Sequence, residues 1–455
     1  MTNSKDNKLP LSFRSRETDN IFLRLRAGNS CNIIGIGSVG KSNLLRFLQQ
    51  ADVRHAKLGS EWDKYLFVYI DANKLLERSE WGLWELMLHQ ILVELSNGEI
   101  KPAEYQEIDD LHQRATAPAT RHIALRYLDR AIGLICRNLN LKLVFLFDEF
   151  DDLYRTLPPQ VFDALRALRD ENKYSLMYVV VTRRELNQLR SEEEHREAFE
   201  ELVTPNTIWL AAYSKADARY TLQRLASRHS VKLSEKQIQD ILKVTGGHPG
   251  LIRAVFPQMY EQTNATESAL ANKNVREECQ RIWQSLAKDE QKALALLVSN
   301  SRIQMAESLL EQLQQKGLLG GEWVESNEIF SSVFSMYIRN EKPVIGNRIK
   351  IDHQKHRVWV DDHEIQNISG LEYTLLVYLE ERRGQVCSRK QIAQHLYPHD
   401  KLPGISANAI DSIIKRLRKQ IEPDPRKPMF ISTVHGVGFR LMDGETAKEN
   451  RGSET

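Results

Sequence analysis

The stretch CNIIGIGSVGKSNLLRFL, residues 31–48, predicts the fold of the first half of the chain. It opens with an apolar, strand-like run and closes with an amphipathic, helix-like run. Between the two, Gly35, Gly40, Lys41 and Ser42 fit the pattern G-x-x-x-x-G-K-[ST]. Glycines at such a turn let backbone N–H groups face an anion, and the new helix adds its positive N-terminal end. The stretch therefore predicts a phosphate-binding loop, with a glycine-rich turn that binds no ligand as the alternative.

An acidic pair after a second strand-like run supplies the partner that such a loop needs. The run KLVFLFD ends at Asp148 and is followed by Glu149. We expect Asp148 and the Ser42 hydroxyl to hold Mg²⁺, with Lys41 at the β- and γ-phosphates. Glu149 is predicted to act as general base on the attacking water, so Glu149 and Lys41 are the candidate catalytic residues. The predicted cofactors are ATP or ADP and Mg²⁺. The loop residues predicted to bind the nucleotide are Gly35, Ile36, Gly37, Ser38, Val39, Gly40, Lys41, Ser42 and Asn43.

Two further segments carry residues that could reach the phosphates. A third strand-like run ends at Thr182 and continues with Arg183 and Arg184. We predict that this group senses the γ-phosphate, but an arginine acting in a neighbouring subunit and a solvated arginine pair fit the pattern as well. His248 and Pro249 lie in a glycine-rich turn, GGHPGLI. His248 could touch a phosphate or stabilise the turn.

The order of strand-like and helical segments predicts the fold class of this part of the chain. Strand-like runs alternate with helical stretches over about the first 210 residues, which is typical of a doubly wound parallel sheet. From about residue 213 the pattern becomes helical only, and serines are placed to cap the first two helices. Residues 275–340 are expected to hold short helices and a strand-like tail, EIFSSVFSMYI.

These motifs together resemble the AAA+/STAND branch of P-loop ATPases over about the first 340 residues. The phosphate loop, the acidic pair, the Thr182–Arg184 group and the Gly246–Pro249 turn resemble motifs of that family. The segment FRSRE, residues 13–17, is similar to the family's box that borders the adenine, which implies a nucleotide contact at Arg16. The resemblance also implies that the helical region is a lid over the nucleotide and that 275–340 is a small winged-helix element.

The C-terminal hundred residues carry a different signal. ANAIDSIIKRLRKQI predicts an amphipathic helix with isoleucines and Leu417 on one face and a cluster of cations, and FISTVHGVGFRL predicts a two-stranded ribbon. Such a helix suits a DNA major groove, with a solvated face as the alternative. Residues 346–443 hold 16 Lys and Arg against 12 Asp and Glu, a net charge of +4 on a chain of net charge +2. The positive charge is therefore concentrated at this end.

This C-terminal segment resembles the OmpR/PhoB-type winged-helix domain of bacterial transcription regulators over nearly its full length. The resemblance implies that Lys415, Arg416 and Arg418 face DNA and that Thr433 touches a phosphate. The predicted DNA-binding residues are Asn408, Lys415, Arg416, Arg418, Lys419, Thr433 and His435. The predicted domains are a P-loop ATPase core at 10–212, a helical lid at 213–262, a winged-helix-like element at 275–340, the DNA-binding domain at 346–443 and a disordered tail at 444–455.

Composition limits the remaining possibilities. The four cysteines have no metal-ligand spacing, so we expect buried thiols. The first ten residues contain no apolar signal core and no apolar run approaches the roughly 20 residues that span a bilayer, so we expect a cytoplasmic protein without a membrane partner. A net charge of only +2 means that a nucleic-acid surface must be local.

Three hypotheses follow for the whole chain. The first is a nucleotide-switched transcription regulator that binds promoter double-stranded DNA as a homo-oligomer and hydrolyses ATP slowly. The second is an ATP-driven DNA machine, such as an initiator or a transposition-type ATPase, that uses the winged helix to load on DNA. The third is a signalling scaffold whose winged helices bind a protein partner.

Overall fold

The computed structural model describes residues 8–98, 101–191, 197–259, 269–298, 306–341, 349–353, 355–360, 363–397, 407–422, 425–426, 428 and 430–442. It divides into two compact units. The first comprises Met1–Glu290 and Ala306–Ser335, and the second comprises Gln291–Met305 and Met336–Thr455. The predicted tail at 444–455 lies outside the described residues.

The first unit is built on a five-stranded parallel sheet with the order β2-β3-β4-β1-β5. Its strands are β1 (Cys31–Gly35), β2 (Tyr65–Asp71), β3 (Lys142–Asp148), β4 (Leu176–Thr182) and β5 (Thr207–Leu210). All strands run in one direction, so their carboxyl ends meet at one edge of the sheet, where ligands of such sheets bind. The central strands are apolar and buried because helices cover both faces. The predicted parallel sheet is confirmed.

Helices connect these strands and continue after them. The α-helices up to the unit boundary are α1 (Ser15–Arg26), α2 (Lys41–Leu48), α3 (Ala51–Leu58), α4 (Glu80–Ser96), α5 (Pro102–Thr116), α6 (Ala124–Gly133), α7 (Phe150–Thr156), α8 (Gln160–Glu171), α9 (Glu197–Val203), α10 (Lys215–Arg228), α11 (Glu235–Thr245), α12 (Pro249–Met259) and α13 (Lys273–Ser285). They are followed by α14 (Lys288–Val298), α15 (Glu307–Gln315) and α16 (Ser332–Glu341). The unit boundary passes through α14 and α16.

The predicted serine caps are confirmed at the start of the helical region. Ser214 accepts a hydrogen bond from the backbone of Asp217 at the start of α10, and Ser234 forms a capping box with Gln237 at the start of α11. These bonds satisfy backbone N–H groups that have no partner within the helix.

The strand predicted for the tail of 275–340 is wrong, because SVFSMYIRNE forms α16. The Ser331 hydroxyl accepts a hydrogen bond from the backbone of Phe334 at the start of this helix. Val333, Phe334, Tyr337 and Ile338 are buried, and their spacing matches one face of a helix better than one face of a strand. The remainder of 275–340 holds α13, α14, α15 and an antiparallel bridge between Leu319 and Ile329. Whether this region is a separate winged-helix element stays a prediction.

The second unit has the winged-helix fold predicted for it. An antiparallel sheet of β6 (Ile349–Asp352), β7 (Arg357–Val360) and β8 (His363–Glu364) precedes the helices. The following elements are α17 (Gly370–Glu380), β9 (Cys387–Ser388), α18 (Arg389–Leu396), α19 (Ala407–Ile421), β10 (Ile431–Val434) and β11 (Gly438–Leu441). Strands β10 and β11 form the wing, and β11 also pairs with β9. The three helices and the wing enclose one apolar core.

Two further expectations concern membranes and thiols. Among the described helices, none is both long enough and apolar enough to cross a bilayer. The four cysteines are buried free thiols, as predicted. Burial raises the pKa of the Cys31 and Cys279 thiols to about 12, which keeps both protonated and unreactive.

Candidate functional site

The predicted phosphate loop, Gly35–Ser42, joins β1 to α2 at the carboxyl edge of the sheet. Gly40 has φ 100°, a conformation that favours glycine, and a Cβ atom there would lie 3.0 Å from the Tyr213 hydroxyl. The loop borders a cavity of about 580 Å³, within the usual size of a small-ligand site. The cavity is lined by Gly37, Ser38, Val39, Gly40, Lys41, Ser42, Asn43, Glu149, Arg183, Arg253, Arg281, Gln284 and Ser285.

Lys41 is buried beneath this loop. Its Nζ atom donates hydrogen bonds to the carbonyl oxygens of Gly35, at 2.8 Å, and Ile36, at 3.0 Å. Removal from water lowers the pKa of Lys41 to about 8, and the carboxylate of Asp151 opposes that shift. The ammonium group is thus bonded to the loop itself, where an anion in the cavity would be attracted to it.

The predicted magnesium ligand Asp148 is held by two hydrogen bonds. The Tyr69 hydroxyl donates to Asp148 Oδ2 at 2.6 Å, and the Glu149 backbone N–H donates to Oδ1 at 3.0 Å. Tyr69 and Asp148 come from the neighbouring strands β2 and β3, so the sheet register orients the carboxylate. Ser42 lines the cavity and Asp148 does not. A hydroxyl and carboxylates at this edge are the oxygen ligands that Mg²⁺ accepts, so the donor set fits the metal.

Glu149 and Arg183 form an ion pair at the cavity wall. Glu149 has φ 52° and precedes the first residue of α7. Partial burial raises the pKa of its carboxyl group, and the Arg183 charge opposes that shift. The backbone N–H of Arg183 donates to both oxygens of Asp151, at 2.8 and 3.1 Å. Arg183, which follows β4, is therefore bonded to the carboxylates of both Asp151 and Glu149. Glu149, the predicted general base, is already paired with the Arg183 guanidinium.

Thr182 and Arg184, predicted beside Arg183 as phosphate sensors, do not line the cavity. Thr182 is fully buried and its hydroxyl donates to Asn32 Oδ1 at 3.1 Å, which ties β4 to β1. The Arg184 guanidinium donates to three carbonyl oxygens at the end of α13, those of Gln284 and Ser285 at 3.3 Å and Leu286 at 2.6 Å. Of this group, Arg183 alone faces the cavity.

The last turn of α13 packs directly against the phosphate loop. The Gly37 backbone N–H donates to Ser285 Oγ at 2.9 Å, and Ser285 Oγ donates to the Ile282 carbonyl at 2.6 Å. A Cβ atom on Gly37 would lie 2.8 Å from the Arg281 carbonyl oxygen, so the close approach requires glycine. One of the N–H groups predicted to face a phosphate is thus bonded to a helix.

His248 also contacts the loop. The Leu251 N–H donates to His248 Nδ1 at 3.3 Å, so Nε2 carries the proton and donates to the Gly37 carbonyl at 3.0 Å. Full burial lowers the pKa of His248 to about 3, which leaves the ring neutral. This geometry supports the turn-stabilising alternative over contact with a phosphate. The next residue, Pro249, begins α12.

In the segment 13–17, the buried arginine is Arg14 rather than Arg16. Its guanidinium donates to the carbonyls of Val39, at 2.8 Å, and Ala211, at 3.0 Å, and lies 4.5 Å from the centre of the Tyr213 ring. Arg16 is exposed and does not line the cavity. Arg14 does not line the cavity either, and the predicted nucleotide contact of Arg16 stays a prediction.

Four cavity residues were not predicted, namely Arg253, Arg281, Gln284 and Ser285. They come from α12 and α13, more than 200 residues after the loop. Their sequence carries no motif that marks them as neighbours of a phosphate loop. The described lining of the cavity thus contains four cationic side chains and one carboxylate, that of Glu149. The cations are Lys41, Arg183, Arg253 and Arg281. That balance suits a polyanion.

In the second unit, α19 presents its cations on more than one face. Ile410, Ile413, Ile414 and Leu417 are buried, as predicted. Lys415, Arg416 and Lys419 are exposed, although Arg416 Nε also lies 3.2 Å from Glu372 Oε1. The side chain of Asn408 lies outside the described residues.

Arg418 is half-buried and contacts the wing. Its guanidinium donates to the Ile431 carbonyl and, at 2.9 Å, to the Thr433 hydroxyl. Partial burial lowers its pKa, and Glu422 and Asp411 oppose that shift. These bonds use the Nε and one terminal nitrogen of Arg418 to join α19 to β10, and the contact of Arg418 with DNA stays a prediction. His435 is exposed at the wing turn, where Gly436 has φ 74°.

The family model that matches the chain covers a segment of the second unit only. Residues 363–441 match the family described as "Transcriptional regulatory protein, C terminal". The chain is 31% identical over 120 residues to the probable transcriptional regulator ycf27 of Guillardia theta, covering 26% of this chain and 47% of that protein. The chain thus spans about half the length of such curated relatives.

Two solved structures align with parts of the chain. The DNA-binding domain of Klebsiella pneumoniae RstA, solved in complex with the RstA box, is 22% identical and aligns with 22% of this chain and 98% of its own, with a TM-score of 0.20. The Walker-type ATPase PABY2304 of Pyrococcus abyssi is 16% identical and aligns with 73% of this chain and 99% of its own, with a TM-score of 0.45. The chain therefore joins a first unit, whose parallel sheet and glycine-rich loop resemble those of P-loop ATPases, to a C-terminal winged helix that matches the transcriptional-regulator family model over residues 363–441.

Proposed function

We propose that this chain is a transcription regulator that binds double-stranded DNA through its C-terminal winged helix and that nucleotide in the first unit controls this binding. The observation that carries the proposal is the hydrogen bond between Gly37 N–H and Ser285 Oγ. A nucleotide phosphate in the loop would compete with this bond. Nucleotide binding would therefore change the position of α13, and a ligand shifts an equilibrium through such differential contacts.

Different residues at the cavity would bind the phosphates of ATP or ADP and the Mg²⁺ ion. Backbone N–H groups of the loop and Lys41 would hold the phosphates, and Arg183, Arg253 and Arg281 would add positive charge. Ser42 would bind the metal directly and Asp148 through water. Bound Mg²⁺ would neutralise part of the phosphate charge.

Hydrolysis is expected to be slow in this arrangement. Glu149 is the carboxylate that faces the cavity, and it is paired with Arg183. A general base must reach the attacking water, so Glu149 has to leave this pair first. The rate of ATP hydrolysis would then set how long the protein stays in its ATP-bound state.

The route from the nucleotide to the rest of the chain runs through α13. Arg183 contacts Glu149 at the cavity, and the adjacent Arg184 holds the carbonyl end of α13. Two residues after α13, α14 begins, and most of α14 belongs to the second unit. The end of α13 is held by the bond between Ser285 and Gly37 and by Arg184, the neighbour of Arg183. A change at the cavity that displaces Arg183 and Ser285 would thus alter both of these contacts.

The winged helix supplies the DNA-binding surface in this proposal. Lys415 and Lys419 are exposed one turn apart on α19, and His435 is exposed on the wing turn. Arg418 and Thr433 would position the wing against α19. The RstA domain of the same fold was solved with a DNA box, and the relatives are named as transcriptional regulators. Self-association would place two winged helices on repeated half-sites.

DNA binding by the full-length chain tests the proposal. Affinity for promoter DNA fragments is measured with ATP, with ADP and without nucleotide, for the wild type, Lys41→Ala and Lys64→Ala. Lys64 is exposed at the amino end of β2, opposite the edge that holds the loop. We expect affinity to depend on nucleotide in the wild type and Lys64→Ala, and not in Lys41→Ala. Equal affinity in every state would overturn the switch and favour an ATPase with separate work on DNA.

A further inference from the structure

A cluster of two histidines and one glutamate lies on α4 and α5, outside the nucleotide cavity. Its members are Glu85 and His89 on α4 and His112 on α5, and the described cavity lining includes none of them. We propose that these three side chains bind one divalent transition-metal ion of the Zn²⁺ class. The site is independent of the nucleotide switch proposed above.

The three ligand atoms converge from two helices. Glu85 and His89 are four residues apart, so both side chains lie on one face of α4. One ligand atom from each of the three residues lies within 4.8 Å of the other two. His112 Nε2 is 3.1 Å from Glu85 Oε1, and the ring centres of His89 and His112 are 5.7 Å apart. Metal–ligand bonds of about 2.0–2.2 Å require only a small further closure by side-chain rotation.

The supporting helices are already aligned for such a site. The Trp81 indole N–H, near the start of α4, donates to the Ala115 carbonyl near the end of α5 at 2.8 Å. Ile108 and Leu111 of α5 are buried in the same apolar core as Leu86 and Leu88 of α4. Packing therefore holds the two helices, and with them the backbone of the ligand positions, in place before a metal arrives, which lowers the cost of assembling the site.

Burial and charge also favour a cation here. Glu85 is 8% exposed, and His112 is its ion-pair partner among the described residues. A buried carboxylate is costly unless a cation or hydrogen bonds compensate its charge. His89 is exposed, so an ion can enter from solvent. Two imidazoles and one carboxylate suit Zn²⁺ and related ions, whereas Mg²⁺ prefers oxygen ligands alone, and three protein ligands leave a position for water.

Metal retention by the full-length chain tests the proposal. The chain, freed of any affinity tag and of nucleotide, is stripped with a chelator, exposed to Zn²⁺ and dialysed, and its metal content is measured by mass spectrometry. We expect about one equivalent of Zn²⁺ in the wild type and its loss in His89→Ala and His112→Ala. His122→Ala is the matched control, because His122 is an exposed histidine of the same unit outside the cluster, and it should retain the metal.

Two further variants keep the outcome clear. Co²⁺ in place of Zn²⁺ should give a tetrahedral absorption spectrum that Glu85→Gln weakens, because glutamine keeps the shape but removes the charged ligand. Lys41→Ala should retain the metal fully, so failure of the nucleotide proposal would leave this result unchanged. Absence of stoichiometric metal in the wild type, or equal retention by all the histidine variants, would overturn the site and leave Glu85–His112 as a plain hydrogen bond.

Discussion

Ser285 Oγ lies 2.9 Å from the backbone nitrogen of Gly37 and accepts its hydrogen bond. The two residues are 248 positions apart in the chain, yet this contact places the end of α13 on the phosphate loop. Arg184 holds the same helix end through three carbonyl oxygens. The cavity beside the loop and α13 are therefore coupled through one loop N–H group and one strand end.

Removal of the Ser285 hydroxyl should tighten nucleotide binding. Ser285→Ala deletes the acceptor that competes for the Gly37 N–H, and a typical hydrogen bond of about 0.5–1.5 kcal/mol corresponds to about a 2- to 13-fold lower Kd for ADP. Calorimetric titration of the full-length chain measures the change.

Ser96→Ala is the matched control for this change. Ser96 ends α4 as Ser285 ends α13, and each hydroxyl donates to the carbonyl three residues earlier. Ser96→Ala should leave the Kd for ADP unchanged. Weaker binding in Ser285→Ala would show that the hydroxyl supports the loop instead of blocking it.

Nucleotide affinity should fall at alkaline pH. The pKa of Lys41 is about 8 in the free protein, whereas a bound phosphate requires the ammonium form. Well below pH 8 the group is already protonated and affinity is constant. Above pH 8 binding must take up a proton, so the Kd should rise by up to about tenfold per pH unit. Measurements between pH 7.5 and 9.5 on the wild type and Lys41→Arg check this, because arginine stays charged and should abolish the dependence.

Glu149→Gln should bind ATP yet hydrolyse it at least about 100-fold more slowly, because glutamine cannot accept a proton from water. Asp152→Asn is the control three residues further along the chain, since Asp152 lies on α7 and pairs with Arg155 at the surface. Single-turnover assays with ATP separate binding from hydrolysis. Normal turnover in Glu149→Gln would exclude this carboxylate as the base.

Removal of the exposed lysines of α19 should weaken DNA binding and its salt dependence. The double substitution Lys415→Ala with Lys419→Ala should lower the slope of log affinity against log salt by about 1 for each DNA phosphate that a lysine no longer neutralises. Lys355→Ala removes one positive charge from the turn between β6 and β7 and should leave the slope unchanged, whereas each single substitution, Lys415→Ala or Lys419→Ala, should lower it. An unchanged slope in the double variant would refute the placement of this helix face on DNA.

Arg418 should behave differently from these lysines. Its hydrogen bonds to Ile431 and Thr433 join α19 to the wing, so Arg418→Ala should weaken DNA binding without changing the salt slope. Removal of this side chain should also lower the stability of the winged helix by about 1–3 kcal/mol, because the Ile431 carbonyl then has no guanidinium donor. Salt titrations and thermal unfolding of the full-length chain separate the two effects. A slope reduced by about 1 would show instead that Arg418 reaches a phosphate in the complex.

The sequence by itself determined the features that depend on neighbouring residues. The phosphate loop, the acid at the end of β3, the serine caps and the apolar face of α19 are local patterns of contiguous residues, and each lies where the pattern predicted it. The strand predicted in SVFSMYI failed because a short apolar run fits both periods, and Ser331 with its buried neighbours decided for a helix.

Tertiary structure decided which side chains meet. Arg14, rather than Arg16, faces inward because the packing of α1 buries it against Tyr213. Ser285 reaches Gly37, and Arg418 reaches the wing, through contacts between segments distant in sequence. Such contacts depend on how whole helices pack against one another, and no local pattern of residues records that geometry.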